Sequence, residues 1–427
     1  MSTTRKTFKL LFLTALGGLI MGVVSKVFLD TLSFVSLFRE THDYSLFLLP
    51  FVGMLTAFVY KNYGKGSQRG NNLIIDSIYK DSHVPLRMSF FTFVFTVLTH
   101  LSGGSAGREG TAVQIGGTIT NKLAELFKID SNDRKILVMS GISAGFGSVF
   151  GTPLAGTFFG MEMCFVGKLS YEALLPCFVA SYTSNFITET LGIVHSSHGI
   201  AAVPQLTPYV LFVTIMASAA FGITGKYFSV FIRFLKKTYA KIIKNYVLRA
   251  LLSSAVILFI MLAFNLTKYE GLSTWLIDEG FQGNVHIYDP FTKLILTCMT
   301  LGAGFQGGEV TPLFDIGASL GGLIGQLTKV EPSLLAALGL ISVFGCATNT
   351  PITTIMLGIE MFGTEAVPYY ITASLISYYV SGHNGIYQSQ IIYTPKFEYL
   401  NDHNNLSLEE ILSANENSTE ENVHNKF

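Results

Sequence analysis

The sequence predicts an all-α protein that passes through a membrane many times, and three observations predict it. Only 13% of its residues are charged and 49% are hydrophobic, at a mean hydropathy of +0.47, whereas average soluble domains carry about 25% charged residues. The apolar residues fall into many long runs. Glycine, with 41 residues, interrupts many of those runs, and small residues let membrane helices approach closely.

In chain order, the apolar stretches predict helices near 8–29, 45–60, 86–102, 109–126, 136–150, 154–166, 170–193, 207–235, 247–266, 288–303, 309–326, 333–346, 351–362 and 366–381. The first has the basic start and apolar run of a signal peptide. It lacks a small-residue cleavage site, so a retained membrane helix is expected. Several runs are shorter than the ~20 residues that span a bilayer. Short or broken helices in paired positions are the sequence sign of a transport site at mid-membrane depth.

Charge adds orientation. Twenty-eight basic and 28 acidic residues cancel, so no global field points to nucleic acid. Basic residues gather at Arg5, Lys6 and Lys9, at Lys122, Lys128, Arg134 and Lys135, and from Arg233 to Arg249. The positive-inside rule places these on the cytoplasmic face. The 61–87 loop is basic as well. Cys164, Cys177, Cys298 and Cys346 lie in apolar segments without metal-ligand spacing and read as small buried hydrophobes. No metal, cofactor or catalytic set is expected. Residues 1–395 read as one transmembrane domain, and 396–427 as a mobile tail with seven acids.

The chain resembles itself. A shift of 200 lays Gly104, Gly107, Glu109, Thr111 and Gly117 on Gly304, Gly307, Glu309, Thr311 and Gly317. A shift of 198 lays Thr152, Pro153, Gly160, Glu162 and Met163 on Thr350, Pro351, Gly358, Glu360 and Met361. Two homologous halves follow, about 8–195 and 207–393. On this register Glu109 and Glu309 are equivalent acids, each at a helix start. Free N–H groups and the dipole make such a start attractive to anions. A carboxylate there can fill the anion position itself and leave when protonated. The alternative for Glu109 is a structural pair with Arg108.

GREGTAVQIGG at 107–117 resembles the CLC family of chloride channels and anion/proton antiporters. GGEVTP at 307–312 falls at that family's second anion motif, and Tyr387 in GIYQSQ resembles its inner pore tyrosine. The resemblance covers about residues 10–395. It implies a homodimer of many-helix subunits in the cell membrane, each with its own pore and an inverted repeat. The departures point to one branch. Thr111 stands where proline is typical, Val310 for phenylalanine, Glu309 for isoleucine, and Gly70-Asn71-Asn72-Leu73 for a serine loop. Met163 aligns with the inner proton glutamate of the chloride exchangers. These changes resemble the fluoride/proton antiporter branch. The resemblance then implies that Glu109 is the proton-linked gate. Asn71 (or Asn72), Glu309, Thr311, Tyr387, Gly107, Gly110 and Val310 would line the anion path. Glu162 and Glu360 read as mainly structural, and Asp315 carries no evident role. The alternatives are a passive chloride or fluoride channel and a chloride/proton exchanger; an enzyme is not expected.

Overall fold

The computed structural model describes residues 3–80, 82–398 and 403–414. Its helices are α1 (Thr3–Thr41), α2 (Leu49–Tyr63), α3 (Asn71–Tyr79), α4 (Arg87–Leu101), α5 (Glu109–Leu126), α6 (Ser131–Phe150), α7 (Pro153–Glu162), α8 (Leu174–Thr190), α9 (Pro208–Ile242), α10 (Tyr246–Ala263), α11 (Trp275–Gln282), α12 (Asp289–Ala303), α13 (Val310–Thr328), α14 (Pro332–Thr348), α15 (Pro351–Phe362) and α16 (Val367–Val380). Two dipeptides, β1 (Phe165–Val166) and β2 (Ile391–Ile392), pair in parallel. Every expected helix is found. α1 and α9 run on past their apolar cores, and α3 and α11 are additional.

Four helical stretches, Arg5–Thr41, Asp43–Tyr63, Pro208–Ile242 and Tyr246–Ala263, are long and apolar enough to cross a bilayer. Their outward faces carry Phe8, Phe12, Phe51, Phe212 and Phe259, as contact with acyl chains requires. Side chains in the loops cap helix starts. Asp130 accepts from Asp133 N at 3.1 Å to open α6, which holds its carboxyl below the usual carboxylate range. Asn245 opens α10 by accepting from Val247 N and Leu248 N.

Contacts sort the loops onto two faces. Lys6 and Lys9, at the start of α1, reach Asp130 and the Phe127 carbonyl. Arg134 reaches Asn121 and the Ser82 carbonyl, Arg69 reaches Ser389, and Arg233 reaches Asn384 and the Gly385 carbonyl. All the basic loops, 61–87 included, therefore share one face. α1 has 39 residues, about 58 Å of helix, and its far end places Arg39 3.3 Å from Glu270. Loops 264–288 and 326–333 adjoin that opposite face, tied together by the Gln326 bond to the Gly283 carbonyl.

α5 thus runs from the centre toward the basic face, and α13 from the centre away from it: the repeat is inverted. Each half packs this helix backbone to backbone on the next. A Cβ on Gly116 would lie 2.1 Å from the Gly141 oxygen, and one on Gly317 2.1 Å from the Gly339 oxygen. The halves also cap one another. Glu162, at the end of α7, accepts from Ile352 N at 3.1 Å and Thr353 N at 2.9 Å in the first turn of α15. Glu360, at the end of α15, accepts from Leu154 N and Ala155 N, both at 2.8 Å, in the first turn of α7. Their recurrence in sequence is this exchange of caps.

The repeat register near the centre needs correction. Gly107 N donates to Gly308 O and Gly308 N to Gly107 O, both at 2.7 Å. Residues that pair with each other in this way are equivalents, which makes the offset 201 rather than 200. The caps of α5 and α13 agree: Arg108 precedes one and Glu309 the other. Glu109 is therefore equivalent to Val310, and Glu309 to Arg108. The offset of 198 holds at the exchanged caps, because the two hairpins differ in length.

The C-terminal stretch expected to be mobile is docked in its described part. Lys396 is buried and donates to Asn349 Oδ1, the Tyr378 carbonyl and Ser381 Oγ. Residues 408–414 form a helical turn that packs Leu408 and Ile411 on Val166, Ile392 and Tyr378. Ser407 N donates to Glu410 Oε2 at 2.7 Å and Glu410 N to Ser407 Oγ at 3.2 Å, a capping box. Asp402, Glu416, Glu420 and Glu421 lie outside the described residues. Glu162→Ala and Glu360→Ala should each destabilise the protein by about 1–3 kcal/mol, read as a lower thermal unfolding midpoint in detergent; an unchanged midpoint in both would contradict the exchanged caps.

Candidate functional site

Three helix starts meet at the centre. α5 and α13 arrive from opposite halves, and the paired Gly107–Gly308 strand segments hold their first turns together. α3 arrives beside them. A Cβ placed on Gly110 would lie 3.1 Å from Asn71 Nδ2 and 3.3 Å from Glu309 Oε2. Gly70 aims Asn71 inward with φ +56°, a conformation that favours glycine. Around Gly308, a Cβ would lie 2.7–3.2 Å from the backbone nitrogens of Gly110, Glu109 and Arg108. The missing side chain leaves room beside those amide groups, of which Arg108 N donates to the Glu109 carboxylate, and at helix starts they carry partial positive charge.

Glu109 is fully buried. Its carboxylate turns away from its own helix and across to the other half. Oε2 accepts from Thr311 N at 3.1 Å and from Arg108 N at 3.1 Å. Oε1 accepts from Thr311 Oγ1 at 2.5 Å and stands 3.4 Å from Arg108 Nε. The Glu109 carboxyl thus sits on an amide in the first turn of the opposing helix, the position where a free anion would be stabilised. Thr311, expected on the anion path, is held by this carboxylate.

The other expected residues surround that pair. Glu309 precedes α13 and is half-buried, with its Oε2 turned inward and without a hydrogen-bond partner among the described residues. Asn71 Oδ1 and Tyr387 OH also lack one there, and both residues are buried. Tyr387 lies within electrostatic reach of both Glu309 and Glu109, and Lys236 within reach of Glu309. Buried polar atoms are seldom left unpaired, so several unpaired ones converging here mark a place built for a polar guest. Val310 opens α13 and is buried. Gly107 serves as half of the central pairing. Asn72 takes a different job: Oδ1 accepts from Ser389 N at 2.9 Å, which fixes the Tyr387 segment to α3. Met163 is buried and its carbonyl accepts from Gln390.

A layer not expected from the sequence supports the turn. His100 Nε2 lies 3.3 Å from the Gly107 oxygen. Thr96 and Thr111 hydroxyls pair at 2.7 Å. Thr92 donates to Gln114 at 3.0 Å. Thr92, Thr96 and His100 follow every four residues along α4 and face α5, a polar stripe that the apolar average of this stretch conceals. Asp315 pairs with Lys293 at 3.6 Å, both fully buried. Among the described residues no group of His, Cys, Asp and Glu could hold a metal ion.

Known proteins resemble this chain in sequence and fold. The family described as "Voltage gated chloride channel" matches residues 52–382. A "Chloride/fluoride channel protein" of Pseudomonas syringae pv. tomato is 39% identical over 389 residues, spanning 90% of this chain and 86% of the relative. The "H(+)/Cl(-) exchange transporter ClcA" of Vibrio vulnificus is 25% identical over 293 residues, 64% of this chain and 61% of that protein. Among solved structures, a "CLC-type fluoride/proton antiporter" superposes with TM-score 0.88 at 35% identity, covering 91% of this chain and 99% of that one. A slow cyanobacterial Cl-/H+ antiporter at 19% identity, TM-score 0.73, shares the fold over 87% of this chain and 94% of its own. With the paired glycine turns, the crossed glutamate and a family match over most of its length, the chain is a polytopic membrane protein of the voltage-gated chloride channel family, the CLC family.

Proposed function

We propose that this chain is a fluoride/proton antiporter that exports fluoride from the cytoplasm, with Glu109 as the proton-linked gate. One observation carries the reading: the Glu109 carboxylate occupies the amide and the hydroxyl of Thr311, in the first turn of α13, donors that a fluoride ion would use. Anion and carboxylate compete for them. When Glu109 binds a proton it loses the charge that holds it there, the anion takes its place, and the proton travels on the displaced side chain.

The surrounding groups suit a small, strongly hydrated anion. Thr311 Oγ1, the Asn71 amide and the Tyr387 hydroxyl can replace its water with short donors. Glu309 is the departure from an ordinary chloride path. As a fixed charge it would repel the anion, so in transport it carries a proton and donates. The basic face is cytoplasmic by the positive-inside rule, which puts Tyr387, Asn71 and Lys236 on the intake side. The protein sits in the cell membrane as a homodimer, as the resemblance implies, and its activity is transport without a chemical reaction. The structure described as a fluoride/proton antiporter, at 35% identity, supports this branch. The relative named as a chloride/fluoride channel favours a passive pore as the second reading.

Proteoliposomes separate them. In a fluoride gradient the antiporter drives protons uphill, and fluoride current without proton movement would establish the channel. Run with chloride in parallel, the assay also identifies a chloride exchanger. Glu109→Gln should pass fluoride with no coupled protons; coupled acidification in that variant would refute the gate. Glu309→Ala removes the donor and should slow fluoride turnover by about tenfold, the equivalent of one lost hydrogen bond of about 1.4 kcal/mol, and a wild-type rate would remove Glu309 from the path. Gly308→Ala puts a methyl among three amide nitrogens and should cut flux by about 10²-fold while the protein still elutes as folded; full flux would show that those amides do not meet the anion.

A further inference from the structure

Beyond Glu109, away from the basic face, lies a second buried carboxyl that the gate does not use. Asp315 is four residues past Thr311 on α13, on the same helix face and about 6 Å further along. Thr311 holds the Glu109 carboxylate, and the charges of Asp315 and Glu109 act on each other. Asp315 is fully buried, yet among the described residues no hydrogen bond reaches either of its oxygens. The Lys293 ammonium of α12 stands 3.6 Å away. Lys293 is equally buried and donates to the Gly271 carbonyl at 2.8 Å and to Ser273 Oγ at 3.1 Å. Ser273 lines an open pocket of about 800 Å³, together with Arg39, Asp43, Lys268 and Glu270.

Burying two charges costs several kcal/mol per ion unless hydrogen bonds satisfy them, and a pair kept for stability alone would have its carboxylate bonded. Ionisable side chains at membrane depth mark ion and proton pathways. We propose that Asp315 and Lys293 relay protons between that pocket and Glu109. The inference rests on the antiport reading. In the inward direction an N–H bond of Lys293 breaks as an O–H bond forms on Asp315. The Asp315 O–H then breaks as one forms on a Glu109 oxygen, directly or through one water. Lys293 regains its proton from pocket water by way of the Ser273 hydroxyl, and charge is conserved at every transfer.

The other charged or titratable groups around this route are the Arg39–Glu270 pair at 3.3 Å, Arg108 beside Glu109 and His100 behind Gly107. The two guanidiniums stay charged throughout. Glu270 borders the pocket rather than the Lys293–Asp315 contact.

The test is a proton-coupled fluoride flux assay on wild type, D315N, D315E, E109Q and E109Q/D315N in proteoliposomes. D315N should slow coupled exchange by about 10²-fold, the loss expected for a positioned proton carrier, and D315E should restore part of it. In the E109Q background, where fluoride movement needs no proton, D315N should slow nothing further. If D315N does not elute as folded protein, the paired neutral variant D315N/K293Q replaces it, since both charges then leave together. Wild-type coupling in these variants overturns the relay. Equal slowing in the E109Q background also overturns it and leaves Asp315 a structural residue. Coupled protons in E109Q alone would refute Glu109 as the gate and the relay with it, whereas fluoride flux without protons in wild type would sink the antiport reading itself.

Discussion

The centre of the molecule depends on how amide donors at helix starts are satisfied inside a membrane. Unpaired N–H groups there cost several kcal/mol each, and no bulk water reaches them. This chain settles the cost by exchange between halves. Gly107 and Gly308 pair their backbones, Glu162 and Glu360 cap each other's helices, and Glu109 caps α13. Only at Glu109 do unpaired atoms of Asn71, Glu309 and Tyr387 gather within reach of the same centre. A carboxylate surrounded by satisfied neighbours has nothing to exchange with. One that faces several unpaired polar atoms stands where an anion can substitute for it.

Inversion makes this exchange possible, and register makes it asymmetric. Because α5 and α13 run in opposite directions from the central pairing, their starts face one another. The offset of 201 across Gly107 and Gly308 then sets Arg108 against Glu309 and Glu109 against Val310. Fold symmetry is kept while side-chain symmetry is broken. A symmetric pair of glutamates would put like charges at equivalent points and cap both helices alike. Here one acid crosses over to the opposing helix, and the other stays beside its own first turn.

Most of the fold was legible because apolar runs are long and glycine marks their close contacts. α3 was not: nine residues opening on Asn71-Asn72 and carrying Asp76 read as a turn, and its identity as a helix rests on packing against α5 and α6. The docked 407–414 stretch was legible and outweighed. Ser407 and Glu410 have capping-box spacing, and Leu408 and Ile411 are one turn apart, but the acidic count of the tail masked an eight-residue motif. At the site, the types of residue were readable and the register was not. A shift of 200 matches more identities than 201, since one-residue slips in glycine-rich turns keep glycine on glycine. Only backbone pairing tells Glu309 from the equivalent of Glu109. Lys293 and Asp315 could have been found by the rule that singled out Glu109, as charges within apolar runs.

The charges along the central axis divide by role. Toward the basic face stand groups that donate or attract: Lys236, Tyr387, Asn71 and the unpaired side of Glu309. Away from it stands the Asp315–Lys293 pair, where a carboxylate oxygen meets an ammonium and no neutral donor is left over. An anion moving outward past Glu109 would meet a second carboxylate on that line, which repels it, while a proton would meet an acceptor. Arg108 reaches a different neighbour: its charge acts on His195, in the loop after α8. Exchange of an anion for a proton requires that the two ions not annihilate each other's gradient in a shared channel, and the proposed Asp315–Lys293 relay would meet that requirement by giving the proton an acceptor that repels the anion.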